Sequence, residues 1–204
     1  MRVPVVLALL ALLQAPAHGA AQTAADLAAL TLRSGDVIRV EIWREGELSG
    51  DFHVDAAGRL VVPLLGEFQA AGRPWGDLHR ELLEGYGREL RNPSIRITPL
   101  RRVHVLGEVN APGIYAVDPT LSLVGAIAMA GGTLPEGDLK NIRVIRDGAT
   151  VLDRVPAESA LAAVDVRSGD QVFVGRRGWF DRNSVFLATA LVSFASIVVT
   201  LVVR

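Results

Sequence analysis

The chain has 204 residues, 50% of them hydrophobic, and a formal net charge of -1. A charge this close to zero argues against a nucleic-acid-binding protein, because such proteins usually present a basic face. Cysteine is absent, which excludes disulfides, thiolate metal sites, thiol catalysis and a cysteine-linked lipid anchor. The length predicts one or two small domains.

The first residues have the pattern of a secretory signal peptide. Arg2 supplies a positive charge, and Val3 to Leu13 form an apolar run broken once by a proline. This run is too short to cross a hydrocarbon layer of about 30 Å comfortably. We therefore predict a signal peptide over residues 1–21 and a lead-in segment over residues 22–31. Cleavage is expected at one of three small residues, with the last favoured: Ala17, Ala20 or Ala21.

Residues 184–203 are predicted to form a C-terminal transmembrane helix. The segment contains no charged residue, proline or glycine, and at 1.5 Å per residue it would be roughly 30 Å long. Interfacial anchors are expected just before it, at Trp179, Phe180 and Arg182. A buried core helix is the alternative, which is disfavoured because so small a chain has little core to surround it.

Hydroxyl-bearing residues of this segment are predicted to share one helix face, where they would pack against other helices or line a lumen. They are spaced 4, 3 and 4 positions apart, at Thr189, Ser193, Ser196 and Thr200. Alternatively, the hydroxyls bond back to carbonyls of their own helix.

A first β-rich unit is predicted over residues 32–100. Val37 to Trp43 alternates apolar and charged residues, which indicates a half-buried strand, and Ser94 to Thr98 is a second one. Pro74 to Leu90 repeats apolar residues every three or four positions, which indicates an amphipathic helix. Its apolar face is predicted to contain Trp75, Leu78, Leu82, Tyr86 and Leu90.

A second unit is predicted over residues 101–176. It opens with an alternating strand from Val103 to Val109, and Asp147-Gly148 is a favoured hairpin turn. A helix is expected to start at Asp118-Pro119-Thr120, with either Asp118 or Thr120 as its cap, and to end at Gly131-Gly132. Its buried face is expected to contain Leu121, Val124, Ile127 and Ala128.

One short pattern occurs in both units. Leu32-Arg33-Ser34-Gly35-Asp36 precedes the first strand, and Val166-Arg167-Ser168-Gly169-Asp170 precedes the last one, from Val172 to Val174. The repetition is either chance, since Gly-Asp is ordinary turn chemistry, or a shared device that starts a strand.

No pattern predicts catalysis, a metal site or a cofactor. His53, His79 and His104 stand alone, whereas a zinc site needs clustered ligands. The carboxylates of Glu45 and Glu47 could suggest glycoside hydrolysis, but their Gly-rich polar loop should leave both solvated. We therefore expect a protein that is not an enzyme.

The two units resemble the outer-membrane polysaccharide export family. Gly35 to Trp43 and the residues up to Gly66 resemble its export domain, and Val105 to Gly132 resemble a soluble-ligand-binding β-grasp domain. The turn residues that carry the likeness are Gly35, Asp36, Gly58, Pro63, Gly66, Gly107, Pro112, Gly113, Gly131 and Gly132.

The resemblance implies export of a capsular or exopolysaccharide chain across the outer membrane. It implies a homo-oligomeric periplasmic ring whose C-terminal helices enter the outer membrane, and an inner-membrane polysaccharide copolymerase as partner. The expected fold is α+β, with two small β-rich domains and one C-terminal transmembrane helix. The sequence assigns no residue to glycan binding.

A different function remains open at this point. A long apolar segment after a secreted domain can act as a stop-transfer signal. The chain would then be a periplasmic adaptor or sensor anchored in the inner membrane, holding a soluble ligand in its β-grasp unit.

Overall fold

The computed structural model describes Leu27 and residues 29–178, and the chain divides into two compact units after Leu100. In chain order, the first unit contains β1 (Val37–Ile42), a 3₁₀ turn (Gly46–Leu48), β2 (Gly50–His53), β3 (Arg59–Val62), β4 (Gly66–Gln69), α1 (Trp75–Glu89) and the first half of β5 (Ile95–Gly107).

Strand β1 is the centre of the sheet in the first unit. It pairs antiparallel with β2 on one side and with Ile95–Leu100 of β5 on the other. The predicted alternation is confirmed, because Ile38, Val40 and Ile42 are buried while Arg39 and Glu41 are not. A separate hairpin is formed by β3 and β4.

Helix α1 confirms the predicted amphipathic pattern except at Leu90, which is the half-buried C-cap and lies outside the helix. Pro74 occupies the N-cap position in an extended conformation, which places its fixed φ at the helix entrance. One face of the helix is buried, and it consists of Trp75, Leu78, Leu82 and Tyr86. Gly85 lies against the side chain of Leu65 from the turn between β3 and β4, where a larger residue would collide with it.

The second unit is a mixed sheet that carries one helix. It contains the second half of β5, then β6 (Gly113–Val117), α2 (Leu123–Met129), β7 (Gly137–Arg146), β8 (Ala149–Leu152) and β9 (Gln171–Arg176). The order across the sheet is β6-β5-β9-β7-β8, in which β5 and β9 are parallel and the other neighbours are antiparallel. The predicted hairpin turn is confirmed, since Asp147 and Gly148 both have positive φ.

Helix α2 is shorter than predicted, and its buried face is different. Ser122 is the N-cap, and its hydroxyl accepts a hydrogen bond from the backbone N–H of Gly125. The residues that enter the hydrophobic core are Leu123, Ala126 and Ile127. The expectation that Leu121, Val124 and Ala128 are buried was wrong, because the cap at Ser122 leaves Leu121 before the helix and rotates the buried stripe.

The predicted fold class, α+β with a transmembrane helix, needs correction. The described residues are mostly β, with the two helices α1 and α2. The two strands predicted around residue 100 are one strand of 13 residues, because β1, β6 and β9 pair with successive parts of it. Neither helix in this part of the chain is long and apolar enough to cross a membrane. The segment 184–203 lies outside the described residues.

Candidate functional site

The first Gly-Asp turn fixes the entrance to β1. The carboxylate of Asp36 accepts a hydrogen bond from the backbone N–H of Arg33 at 2.9 Å, and the Asp36 N–H donates to the Arg33 carbonyl. Gly35 has φ of 89° and donates its N–H to the carbonyl of Val54. Asp36 is buried, with 2% of its surface exposed. The turn therefore satisfies its own backbone groups and delivers the chain into the strand.

The second copy of the pattern has the same geometry. The carboxylate of Asp170 accepts from the N–H of Arg167 at 2.7 Å, and Gly169 has φ of 94°. Gly169 donates its N–H to the carbonyl of Arg102 on β5. The repetition noted in the sequence is thus a shared structural device that starts β1 and β9.

Arg146, the last residue of β7, binds the second turn. The guanidinium of Arg146 donates two hydrogen bonds to the Asp170 carboxylate, at 2.8 and 2.7 Å, and a third to the carbonyl of Asp165. The hydrogen bond with Asp170 raises the pKa of Arg146. The Asp170 side chain is 2% exposed and that of Arg146 is 25% exposed, so the carboxylate is shielded from water, and the bidentate pair holds β7, β9 and the turn together.

The other turn residues of the predicted motif lie in turns or at the ends of strands and helices. Gly107 has φ of 90°, and a side chain there would collide with the backbone carbonyl of Val174 on β9. Gly58 and Gly66 stand at the two ends of the β3–β4 hairpin, with Pro63 in its turn. Pro112 and Gly113 lead into β6, and Gly131 and Gly132 close the end of α2.

The remaining predicted positions do not form a chemical centre. The anchors Trp179, Phe180 and Arg182 and the helix face of Thr189, Ser193, Ser196 and Thr200 lie outside the described residues. Within residues 27 and 29–178, no group of three or more His, Asp or Glu side chains could hold a metal ion. His79 packs beside Trp75 at 5.1 Å between ring centroids, and burial lowers the pKa of its imidazole. Glu45 and Glu47 are exposed.

An open depression lies at the far end of β1, and we call it the Trp43 depression. It is lined by residues 41–44, 46, 49 and 94–96 and has a volume of about 730 Å³. This volume falls within the usual range for ligand sites, roughly 300–1,000 Å³. Trp43 borders it with 73% of its surface exposed, the largest value among the large hydrophobic residues of the described chain.

The hydroxyl of Ser49 bridges two backbone groups of the loop that carries Trp43. Ser49 Oγ accepts from the N–H of Ile42 at 2.9 Å and donates to the carbonyl of Glu45 at 2.9 Å. The N–H of Trp43 donates to the carbonyl of Ser94, which continues the pairing of β1 with β5. These bonds fix both walls of the depression relative to each other. Arg44 is in a left-handed conformation with φ of 67°, a costly arrangement for a residue with a side chain.

The charged residues that line the depression are two arginines and one glutamate. Arg44 and Arg96 are exposed, and within the described chain the side chain of neither makes an ion pair or hydrogen bond. Neighbouring Arg39 instead pairs with Asp51 at 2.7 and 2.8 Å, which raises the pKa of Arg39 and lowers that of Asp51. Glu41 is the one carboxylate in the lining, and it contributes to the raised pKa of Arg39.

Sequence reasoning missed Trp43, although the signal was present. In a strand, alternate residues face opposite sides. Ile38, Val40 and Ile42 face the core, so Trp43 continues the outward series of Arg39 and Glu41. A large aromatic residue on the polar side of an alternating strand indicates a surface that contacts something.

Comparison with known proteins identifies both units. Residues 24–99 match the family model described as polysaccharide biosynthesis/export protein, and residues 102–154 match the SLBB domain. The Trp43 depression therefore lies within the export-domain match.

Curated relatives carry corresponding names. The exopolysaccharide production protein ExoF of Rhizobium meliloti is 31% identical over 140 residues, which cover 62% of this chain and 32% of that protein. The EPS I polysaccharide export outer membrane protein EpsA of Ralstonia solanacearum is 31% identical over 61% of this chain and 36% of its own length. The polysialic acid transport protein KpsD of Escherichia coli is 28% identical over 72% of this chain and 28% of its own length.

These matches span about a third of the curated relatives. The two family models match in chain order, with the export domain in the first unit and the SLBB domain in the second. Residues 24–99 and 102–154 thus match, in this order, the polysaccharide export and SLBB domains.

Proposed function

We propose that the chain is a non-catalytic subunit of an assembly in the bacterial cell envelope that exports a polysaccharide across the outer membrane. The observation that carries this proposal is the export-domain match over residues 24–99, followed directly by the SLBB match. Relatives named for exopolysaccharide production, polysaccharide export and polysialic acid transport support the same class of substrate.

The proposed assembly is a homo-oligomeric ring on the periplasmic side of the outer membrane. Transport through such a ring requires weak, repeated contacts with the glycan, because a tightly bound chain would not advance. An inner-membrane polysaccharide copolymerase is the proposed partner that delivers the chain. A signal peptide over residues 1–21 would direct the subunit to this compartment.

Deletion of the coding sequence tests the transport role. We expect the deleted strain to lose its surface polysaccharide and to retain polymer in the periplasm, and we expect the full chain to restore export. Fractionated polysaccharide, measured by uronic acid or total sugar content, provides the readout. Unchanged surface polysaccharide in the deleted strain would contradict the proposal.

The assembly is tested separately. Native mass spectrometry of the purified full chain should give a closed oligomer, and affinity purification from the native host should recover the copolymerase. A monomer under every extraction condition would contradict the ring while leaving the transport role to the deletion experiment.

A further inference from the structure

We infer that the Trp43 depression is a binding site for acidic sugar residues of the transported polysaccharide. The inference rests on the proposed function, which supplies a polysaccharide as the substrate. It goes further by assigning the contact to one place in the export domain and by specifying the charge of the sugar.

Trp43 provides a flat apolar surface that the fold itself does not use. The side chain is 73% exposed, whereas Trp75 in the same unit is 4% exposed and packs beside His79. Leaving an indole in water is unfavourable, because it withholds a large apolar area from burial. The axial C–H groups on one face of a pyranose ring form a matching apolar patch, and the electron-rich indole face attracts them.

Hydrogen bonds fix the backbone of the loop that carries this surface before any ligand arrives. The Ser49 hydroxyl bonds to Ile42 and Glu45, and the Trp43 N–H bonds to Ser94 on the other wall. Arg44 keeps a left-handed backbone, with φ of 67°, where glycine would be the favoured residue. Backbone strain of this kind concentrates at binding sites, and a rigid site loses less entropy when a weak ligand binds.

The charges favour an acidic sugar over a neutral one. Several other arginines of the first unit are paired, including Arg59 with Asp55 and Arg73 with Glu81. Arg44 and Arg96 line the depression and make no ion pair within the described chain. The lining contains two guanidinium groups and one carboxylate, so its net charge is positive.

Guanidinium groups bind carboxylates through two parallel hydrogen bonds, which is the contact that a uronate or a related acid would supply. Glu45 and Glu47 belong to the same loop, but they are not among the lining residues. The open shape of the depression also suits a polymer that passes over it, since a long chain could not enter a closed cavity.

Two hexasaccharides of equal length and linkage provide the test. The probes are α-1,4-linked hexagalacturonate and neutral maltohexaose, titrated into the purified full chain by calorimetry. We expect the acidic hexamer to bind about tenfold more tightly than the neutral one, from about one charge-assisted hydrogen bond. We expect Trp43→Ala, Arg44→Gln and Arg96→Gln each to weaken the acidic hexamer roughly tenfold.

Matched variants and a local probe complete the design. Arg80→Gln removes an exposed arginine from α1 and should leave the affinity unchanged. The chain contains three tryptophans, so incorporation of fluorotryptophan gives three ¹⁹F signals, and Trp43→Phe identifies the one from Trp43. That signal should shift with the acidic hexamer, and the signal of buried Trp75 should not.

Three results would overturn the inference. The first is an acidic hexamer affinity that Trp43→Ala leaves intact. The second is equal affinity for both hexamers, unaffected by Arg96→Gln. The third is a Trp43→Ala protein that binds normally but no longer forms its oligomer, since the depression would then be a contact between subunits.

Failure of this inference differs from failure of the proposed function. If the deleted strain loses export and the Trp43→Ala protein restores it with unchanged hexamer affinity, the inference fails and the transport role stands. If the deleted strain still exports polysaccharide, the transport role fails whatever the hexamers do.

Discussion

The two ends of β1 differ in how completely the fold uses their side chains. At the entrance, Asp36 is buried and caps the N–H of Arg33, and Gly35 supplies the left-handed conformation. At the exit, Trp43 is exposed, and Arg44 takes a left-handed conformation despite its side chain. The entrance satisfies its polar groups locally, whereas the exit presents apolar and cationic groups to the outside.

This difference separates the residues of the motif that serve folding from those available for binding. The Gly-Asp turn recurs before β9, in a different unit and with the same hydrogen bonds. A device that serves two units in the same way is explained by folding alone. The exit loop has no such explanation, because its exposure and strain both cost stability.

The largest expected effect concerns the second Gly-Asp turn. Asp170→Ala should lower the free energy of unfolding of the second unit by about 3 kcal/mol, because it removes the buried carboxylate that accepts two hydrogen bonds from Arg146 and one from the Arg167 N–H. Hydrogen exchange of the β9 amides measures this. Asp153→Ala, an exposed aspartate, should change it by less than about 0.5 kcal/mol.

A double variant checks the cause of that loss. Adding Arg146→Ala to Asp170→Ala should cost little more than Asp170→Ala alone, because the guanidinium has already lost its carboxylate partner. If Asp170→Ala costs no more than Asp153→Ala, the Gly-Asp turn does not stabilise the fold. The contrast between the two ends of β1 then disappears as well, because the same type of turn starts β1.

The glycine of the turn should have the next largest effect. Gly169→Ala is expected to lower the free energy of unfolding by roughly 2 kcal/mol, because φ of 94° strains any side chain although no atom obstructs it. Gly46→Ala is the matched control, since it is unobstructed and has no positive φ. It should be neutral or slightly stabilising in urea unfolding. Equal losses in both variants would show that conformation is not the reason.

The middle of β1 should give a smaller, pH-dependent effect. The pKa of Asp51 is lowered chiefly by its hydrogen bond to Arg39, so the folded state favours the carboxylate. This stability is present above the ordinary aspartate pKa and is lost as the pH falls through the lowered folded value. Both side chains are about 40% exposed, so the contribution should stay below about 1 kcal/mol.

Asp51→Asn isolates this contribution. Urea unfolding between pH 7 and pH 2 should show a smaller acid-induced loss of stability in the variant than in the unmodified chain. High salt should reduce the difference further, because exposed ion pairs are screened. Identical pH dependence in the two proteins would mean that the pair makes no contribution.

The smallest expected effect has the opposite sign. Arg44→Gly should raise the free energy of unfolding by about 0.5 kcal/mol, because relief of the left-handed strain exceeds the added flexibility of the unfolded chain. Arg80→Gly, inside α1, should instead lower it by about 1 kcal/mol. A stabilised Arg44→Gly protein with weakened glycan binding would show that the residue is kept for binding. A destabilised one would remove the strain argument.

Much of the first unit was predictable from local patterns. The period of two in β1 and the three-to-four spacing in α1 depend on geometry within one element, and both are confirmed. The hairpin at Asp147-Gly148 is likewise local, since a two-residue turn needs positive φ at both positions. The repeated Gly-Asp pattern left chance and a shared turn as alternatives, and the matching hydrogen bonds of Asp36 and Asp170 decide for the shared turn.

Local patterns failed where several elements compete for the same residues. The long strand β5 was predicted as two strands, because its partners β1, β6 and β9 come from distant parts of the sequence. The buried face of α2 was predicted one residue out of register, about 100° around the helix. Ser122 rather than Asp118 or Thr120 caps the helix, and the N–H groups of its first two residues bond to the carbonyls of Ser159 and Ala157.

The sequence by itself determined the family, the order of the two units and the residues that form the turns, because these depend on short-range spacing and backbone preference. The tertiary structure alone decided which charges are paired and which surface is open. Arg39, Arg44 and Arg96 are similar residues in the sequence. Their different roles follow from the strands that place Asp51 opposite Arg39 and bring Arg44 and Arg96 together beside Trp43.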